Sequence, residues 1–256
     1  MLNYNEAGEG PVVVLLHGFP LNRTIWSQQM AHLKKQYRVI TPDLPGHGGS
    51  AAFPEGGPAT MTRMAREVLA LLDTLKVDQA AIAGHSMGGY VALALQQAAP
   101  ERVVGLGLIS TQARADTPEA REGRLNLAAK VHMHGAGVVA EGMGPKLFGP
   151  SVTSEDPRYQ STVTMIQETP GDGVRCALLG MAERADMREG LTGITVPTLV
   201  LVGTEDKVIP LERSQCMAAN IPRAVLVKVP GVGHMPMLED PAAMNEALEQ
   251  WLELVY

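Results

Sequence analysis

The sequence has little cysteine and few aromatic side chains. The shortage of cysteine excludes proteins built on a disulfide framework and proteins with a cysteine-ligated metal site. Its two cysteines, Cys176 and Cys216, are too few among 256 residues for a disulfide framework, and their spacing is not that of metal ligands. We therefore expect buried, reduced thiols in a cytoplasmic protein, with neither a metal ion nor a cofactor.

Clustered charge and long hydrophobic runs are also missing. The net charge is −6 at pH 7 without a long run of one sign, which argues against binding to nucleic acid or to an anionic membrane surface. No apolar stretch approaches the length of a transmembrane helix. Residues 1–6 lack the basic and apolar stretches of a signal peptide. The expected partner is a small molecule, and the oligomeric state stays open.

Short apolar runs alternate with amphipathic segments along the chain. Residues 60–75 carry apolar side chains at three- and four-residue steps, which predicts a helix. The apolar runs predict strands at 11–16, 37–41, 80–83, 103–109, 198–202 and 225–229. This alternation is typical of an α/β fold, in which helices cover both faces of a mostly parallel sheet.

One segment interrupts the alternation. No strand is predicted from 111 to 195, where four helical stretches occur at 118–133, 137–148, 155–168 and 172–188. The segment follows the carboxyl end of a strand, where α/β sheets bind ligands. We therefore predict that residues 112–194 form a helical cap, inserted into a core of residues 1–111 and 195–256. The alternative is additional scaffold that packs elsewhere.

The most specific local signal is a nucleophile elbow at Ser86. The run Gly84-His85-Ser86-Met87-Gly88 lies between an apolar strand and a helix. A strand-to-helix turn of this kind lifts a serine hydroxyl clear of the sheet and is too tight for side chains at the two glycine positions. The pattern alone arises by chance in about one such chain in ten, so its context carries the prediction.

A serine hydroxyl needs a base to become a nucleophile. Of seven histidines, only His234 lies in a loop after the last predicted strand. The base in turn needs a carboxylate that orients it. Asp206 and its neighbour Glu205 both follow the strand that ends near Gly203, and both are candidates.

Four motifs in order make the chain resemble the α/β-hydrolase superfamily over nearly its whole length. They are His17-Gly18-Phe19-Pro20, the runs 43–50 and 203–210, and Gly233-His234. The nearest resemblance is to small capped carboxylesterases and enol-lactonases. The family's Asp-x-x-x-Pro spacing favours Asp206 over Glu205. Because the family often opens with two or more antiparallel strands, the short stretch before residue 11 predicts a sheet shortened at its N-terminal edge.

The resemblance implies a serine hydrolase that cleaves small carboxylic esters through an acyl-enzyme on Ser86. His234 is then the base, Asp206 the acid, and the backbone amides of Phe19 and Met87 the oxyanion hole. A lactonase, a C–C hydrolase or a cofactor-free perhydrolase with the same residues is the alternative. A ligand receptor with slow turnover is an alternative of another class.

The substrate is expected to be short and uncharged. No basic cluster in the sequence marks a phosphorylated or CoA-bearing ester, and a cap favours acetyl to hexanoyl groups over long chains. Fourteen methionines against three phenylalanines would suit an adaptable apolar pocket, although methionine at helical spacing is more often part of the core. The residues expected to line it are Phe19, Met87, Met133, Leu147, Val208 and Met235.

Overall fold

A seven-stranded sheet forms the centre of the computed structural model, which describes all 256 residues. Its strands are β1 (Tyr4–Ala7), β2 (Val12–Leu16), β3 (Arg38–Pro42), β4 (Ala80–His85), β5 (Val103–Ile109), β6 (Thr198–Gly203) and β7 (Ala224–Val229). Their order across the sheet is β1-β3-β2-β4-β5-β6-β7. Every neighbouring pair is parallel except β1 with β3, which confirms the predicted mostly parallel sheet.

The central strands are buried on both faces, which explains their unbroken apolar sequences. Every residue of β4 and of β6 is buried between the covering helices. The N-terminal edge is short, as predicted. It consists of β1 alone, a four-residue strand that pairs only with β3 and is partly exposed.

Ten α-helices connect and cover the strands. They are α1 (Ser27–Leu33), α2 (Met61–Thr74), α3 (Met87–Ala98), α4 (Pro118–His134), α5 (Gly137–Leu147), α6 (Pro157–Glu168), α7 (Gly171–Ala182), α8 (Leu211–Asn220), α9 (Pro236–Glu239) and α10 (Pro241–Val255). The amphipathic pattern of residues 60–75 corresponds to α2, which buries Met64, Val68 and Leu72. None of the ten combines the length and apolar composition that crossing a membrane requires.

Helices α4 to α7 lie between β5 and β6 with no strand among them, as predicted. The last of the four predicted stretches, 172–188, is wrong at its end, because α7 stops at Ala182. The guanidinium of Arg184 turns inward there and donates to the carboxylate of Asp116 and to the carbonyl oxygen of Arg114, each at 2.9 Å. This tertiary interaction outweighs the helical propensity of the residues that follow.

The prediction of two buried thiols holds for Cys176 and is wrong for Cys216, which is exposed. Helix α8 buries Ser214 and Met217, which are three residues apart and share one face. Cys216 falls outside this face and therefore points towards solvent.

Candidate active site

Ser86 lies in the turn between β4 and α3. Its backbone has φ 51° and ψ −112°, a conformation that residues other than glycine rarely adopt. A Cβ at Gly84 would collide with the carbonyl of Gly88, and one at Gly88 would lie 2.5 Å from the carbonyl oxygen of Leu16. Close backbone approach therefore requires glycine on both sides of this serine.

Two hydrogen bonds hold the strained residue in place. The backbone N–H of Ser86 donates to the carbonyl oxygen of Ile109 at 2.9 Å, and the hydroxyl of Thr111 donates to the carbonyl oxygen of Ser86 at 2.7 Å. Both partners lie at the end of the neighbouring strand β5. These hydrogen bonds from the sheet thus hold Ser86 in the strained backbone conformation that orients its side chain.

His234 and Asp206 are in direct contact. His234 Nδ1 lies 2.8 Å from Asp206 Oδ2, and both side chains are only 1% exposed. The backbone N–H groups of Val208 and Ile209 donate to Asp206 Oδ1, each at 2.8 Å. Glu205, the neighbouring candidate, is exposed. The carboxylate of Asp206 is therefore held by three donors in a site closed to water.

The charge state of Asp206 follows from opposing influences. Burial is the largest single one and raises the pKa of this carboxyl, but the charge and hydrogen bond of His234 and the two backbone donors outweigh it. The pKa of Asp206 is therefore held below its ordinary value. An ionised carboxylate at neutral pH accepts a hydrogen bond from a protonated Nδ1, which leaves Nε2 of His234 free to act as a base.

His85 ties the histidine loop to the elbow. Its Nε2–H donates to the carbonyl oxygen of His234 at 2.8 Å, and the two rings lie 4.7 Å apart. Burial, together with the nearby charge of His234, lowers the pKa of His85 to about 3. The ring is therefore neutral, and its donor is committed to the backbone.

Glu239, which the sequence did not single out, braces the same loop from α9. Its carboxylate accepts three backbone hydrogen bonds of 2.7 to 3.2 Å, whose donors are Gly149, Gly233 and Met235. The N–H of His234 donates to the carbonyl oxygen of Leu147 at 2.8 Å. The only signal for Glu239 in the sequence is its place five residues after His234, which has no meaning without the loop geometry.

Phe19 and Met87 supply the two amides expected to bind an oxyanion. Met87 begins α3, so its N–H is among those that a helix leaves without an internal partner. Phe19 follows β2 in a loop that His17 braces: Nδ1–H donates to the carbonyl of Gly18 at 2.9 Å, and Nε2 accepts from the N–H of Leu44 at 2.8 Å. Burial lowers the pKa of His17 to about 4, so this bridge is neutral.

Ser86 lines a cavity of about 420 Å³. Ten of its sixteen lining residues belong to the helical segment 112–194, mostly to α4, α5 and α7. Of the six predicted pocket residues, Phe19 and Val208 line this cavity. Its apolar wall also includes Leu127 and Met143.

The other four predicted pocket residues do not line the cavity. Met87, Leu147 and Met235 are buried in the core. Met133 is 67% exposed. Helix α4 turns one face to the cavity, formed by Ala120, Gly123, Arg124 and Leu127. Residue 133 lies off that face by the helical repeat, which is why its side chain reaches solvent.

The same cavity carries three cationic side chains, which corrects the expectation that no basic cluster exists. They are Arg124 from α4, Lys146 from α5 and Lys207 from the loop after β6. Asp116 is the one carboxylate in the lining. The three positions are far apart in the sequence, and only the fold brings them to one cavity.

The chain is similar over nearly its whole length to known hydrolases. Over 251 residues the chain is 29% identical to 3-oxoadipate enol-lactonase 2 of Acinetobacter baylyi, covering 97% of this chain and 91% of that protein. It is also 29% identical over 251 residues to the pimeloyl-[acyl-carrier protein] methyl ester esterase of Yersinia enterocolitica, with 96% and 95% covered.

A solved structure is still more similar. The thermophilic esterase from Thermogutta terrifontis, with malate bound, has a TM-score of 0.96 and 40% identity, covering 100% of this chain and 94% of that one. Residues 13–247 match the alpha/beta hydrolase family. The relatives named here are hydrolases, so the expected class of enzyme is confirmed at the level of the family. The chain therefore belongs to the alpha/beta hydrolase family.

Proposed function

We propose that the protein is a serine hydrolase that cleaves small carboxylic esters through an acyl-enzyme on Ser86. The observation that carries the proposal is the buried 2.8 Å contact between His234 and Asp206. His85 joins this pair to the strained serine, because it is the residue before Ser86 and bonds to the backbone of His234.

In the proposed reaction, the Oγ of Ser86 attacks the ester carbonyl carbon while His234 Nε2 accepts the hydroxyl proton. The oxyanion accepts hydrogen bonds from the backbone N–H groups of Phe19 and Met87. Collapse of the tetrahedral intermediate breaks the ester C–O bond, and the alcohol leaves with the proton from His234. Water then attacks the acyl group in the same way and restores the free serine. Asp206 stays ionised and stabilises the imidazolium throughout.

The proposal assigns the helical segment 112–194 as a cap and residues 1–111 and 195–256 as the catalytic core. Support comes from the cavity, since most of its wall belongs to the segment while Ser86 belongs to the core. A wall of this kind limits the length of the acyl group that fits.

Lactone hydrolysis is the second candidate, and the enol-lactonase relative favours it. A lactone is a cyclic ester, so the same attack on the carbonyl opens the ring. The only difference is that the leaving hydroxyl stays attached to the product.

A panel of p-nitrophenyl esters and simple lactones tests the function. We expect kcat/KM to be highest between acetyl and hexanoyl esters and to fall for longer chains, because the helical segment forms most of the cavity wall. Folded protein that cleaves neither esters nor lactones would contradict the proposal. A steady rise towards palmitoyl esters, or activation at an oil–water interface, would contradict the preference for short chains.

Asp206→Asn should reduce kcat by about 10³ to 10⁴, because the amide lacks the charge and can select the wrong histidine tautomer. The matched variant Glu205→Gln should stay within about threefold of the parent, since Glu205 is exposed. Both values come from steady-state assays with p-nitrophenyl acetate, with circular dichroism as the check on folding. A larger loss of kcat in Glu205→Gln than in Asp206→Asn would assign the acid to Glu205 instead.

A further inference from the structure

The charge of the cavity differs in sign from that of the whole chain. The chain carries a net −6, whereas the cavity lining has three cations, Arg124, Lys146 and Lys207, against the single carboxylate of Asp116. A cleft lined mainly by one sign of charge concentrates ligands of the opposite sign.

Asp116 does not neutralise these cations, because it is already shared between two arginines. Its oxygens accept from Arg124 Nε at 2.5 Å and from Arg184 Nη2 at 2.9 Å, and its side chain is 5% exposed. Burial raises the pKa of Asp116, but the two guanidinium groups outweigh that effect and hold it below its ordinary value. Two cations therefore surround one anion on this side of the cavity.

The two lysines and Nη1 of Arg124 still have hydrogen-bond donors free to bind a ligand. Lys146 and Lys207 are exposed, and neither forms an ion pair within the protein. Nη1 of Arg124 donates only to the thioether of Met181, at 3.5 Å, and a thioether is a weak acceptor. The three groups lie on different elements around one cavity and so can converge on one bound anion.

Resting on the proposed ester hydrolysis, we infer that the preferred substrates carry a carboxylate in addition to the scissile ester, and that Lys146, Lys207 and Arg124 bind it. The apolar wall, including Leu127, fits a short hydrocarbon spacer between the two groups. Monoesters of dicarboxylic acids place this carboxylate on the acyl side. Esters of short hydroxy acids place it on the alcohol side.

Two pairs of substrates of matched shape test the inference. Monomethyl glutarate is compared with methyl 5-methylhexanoate, and the butanoyl ester of glycolate with isobutyl butanoate, so that a carboxylate replaces an isopropyl group on either side of the ester. We expect kcat/KM to favour the charged member about tenfold in at least one pair. The preference should decrease with added salt, because exposed charges are screened. The pair that shows it identifies the side of the ester that faces the cations.

Lysine variants connect the preference to the cavity. The charged-to-neutral ratio of kcat/KM should fall about threefold in Lys146→Met and in Lys207→Met, and about tenfold in the double variant, as expected for partly exposed pairs. Lys130→Met is the matched control, because Lys130 is exposed on α4 but does not line the cavity. Arg124 is left in place, since its removal would free the carboxylate of Asp116.

Calorimetric titration with glutarate gives a readout that does not depend on turnover. Weaker glutarate binding by the Lys146→Met/Lys207→Met double variant than by Lys130→Met supports the inference. Equal affinity in the two, no binding by the parent, or preference for the neutral ester in both pairs overturns it. Cleavage of the neutral esters without a charge preference overturns the inference but leaves the proposed function standing. If no ester is cleaved, the proposed ester hydrolysis and the substrate preference fail together, and the titration then decides only whether the lysines bind a carboxylate.

Discussion

Ser86→Ala is expected to lower kcat for p-nitrophenyl acetate by about five to six orders of magnitude, because in the proposed mechanism Ser86 carries the acyl group. The residual rate would come from the oxyanion-binding amides and the cavity, which the variant retains. Alanine keeps the Cβ, so the strain at φ 51° is unchanged and the free energy of unfolding should change little. Loss of activity would then reflect chemistry rather than folding.

Ser214→Ala is the matched control for this experiment. The hydroxyl of Ser214 is also buried but has no hydrogen-bond partner, and it lies on α8 outside the cavity lining. We expect unchanged kcat and stoichiometric labelling by a fluorophosphonate in this variant and in the parent, and no labelling of Ser86→Ala. Labelled Ser86→Ala, or near-normal turnover by it, would refute the nucleophile assignment.

Acid is expected to destabilise the protein steeply, because three histidines are buried in neutral form. His17, His47 and His85 are fully buried, and burial is the main cause that lowers their pKa values to about 4, 3 and 3. In the unfolded chain each binds a proton near pH 6.5. Between pH 6.5 and 4 the unfolded state therefore holds more protons, and the free energy of unfolding decreases as pH falls.

Each of these histidines contributes up to about 1.4 kcal/mol per pH unit in that window. Three together approach the whole stability of a typical domain, about 5–15 kcal/mol, within a few pH units. The depressed pKa of Asp206 acts in the same direction at still lower pH, where its carboxylate takes up a proton. We therefore expect cooperative unfolding above pH 4.

Urea unfolding at pH 7, 6, 5.5 and 5 measures this slope. His47→Asn should reduce it by about 1.4 kcal/mol per pH unit, since one buried imidazole is removed. Its amide nitrogen can still donate to the carbonyl of Pro45, which His47 Nδ1 contacts at 3.0 Å. His132→Asn, on an exposed position of α4, should leave the slope unchanged. A free energy of unfolding that is flat from pH 7 to 5 would contradict the argument.

Local rules were enough to predict the sheet and the elbow, whereas the choice of Asp206 over Glu205 as the partner of His234 needed the resemblance to the α/β-hydrolases. A strand such as β4 is buried on both faces, so its apolar run is unbroken and easily recognised. Gly84 is required by the close approach of the Gly88 backbone, and Gly88 by the end of the neighbouring strand β2. These features depend on neighbours in sequence or on the order of strands, both of which the sequence displays.

Side-chain direction within the helical segment could not be predicted in the same way. Whether Met133 or Leu127 faces the cavity depends on the rotation of α4 about its axis, and that rotation is decided by packing against α7. The end of α7 depends likewise on the inward turn of Arg184 towards Asp116. The cationic cluster of the cavity joins three distant parts of the chain and leaves no local pattern.

The brace around the histidine loop limits how freely such a protein can be recombined. Leu147 accepts from the backbone of His234, and Gly149 donates to Glu239, which also holds Gly233. A chimera that exchanged residues 112–194 for those of a relative would reshape the cavity and, at the same time, replace the segment whose backbone holds the loop of His234, the proposed base. Exchange of the whole segment would therefore change substrate range and turnover together. A chimera that keeps residues 147–149 of the parent should change the substrate range alone.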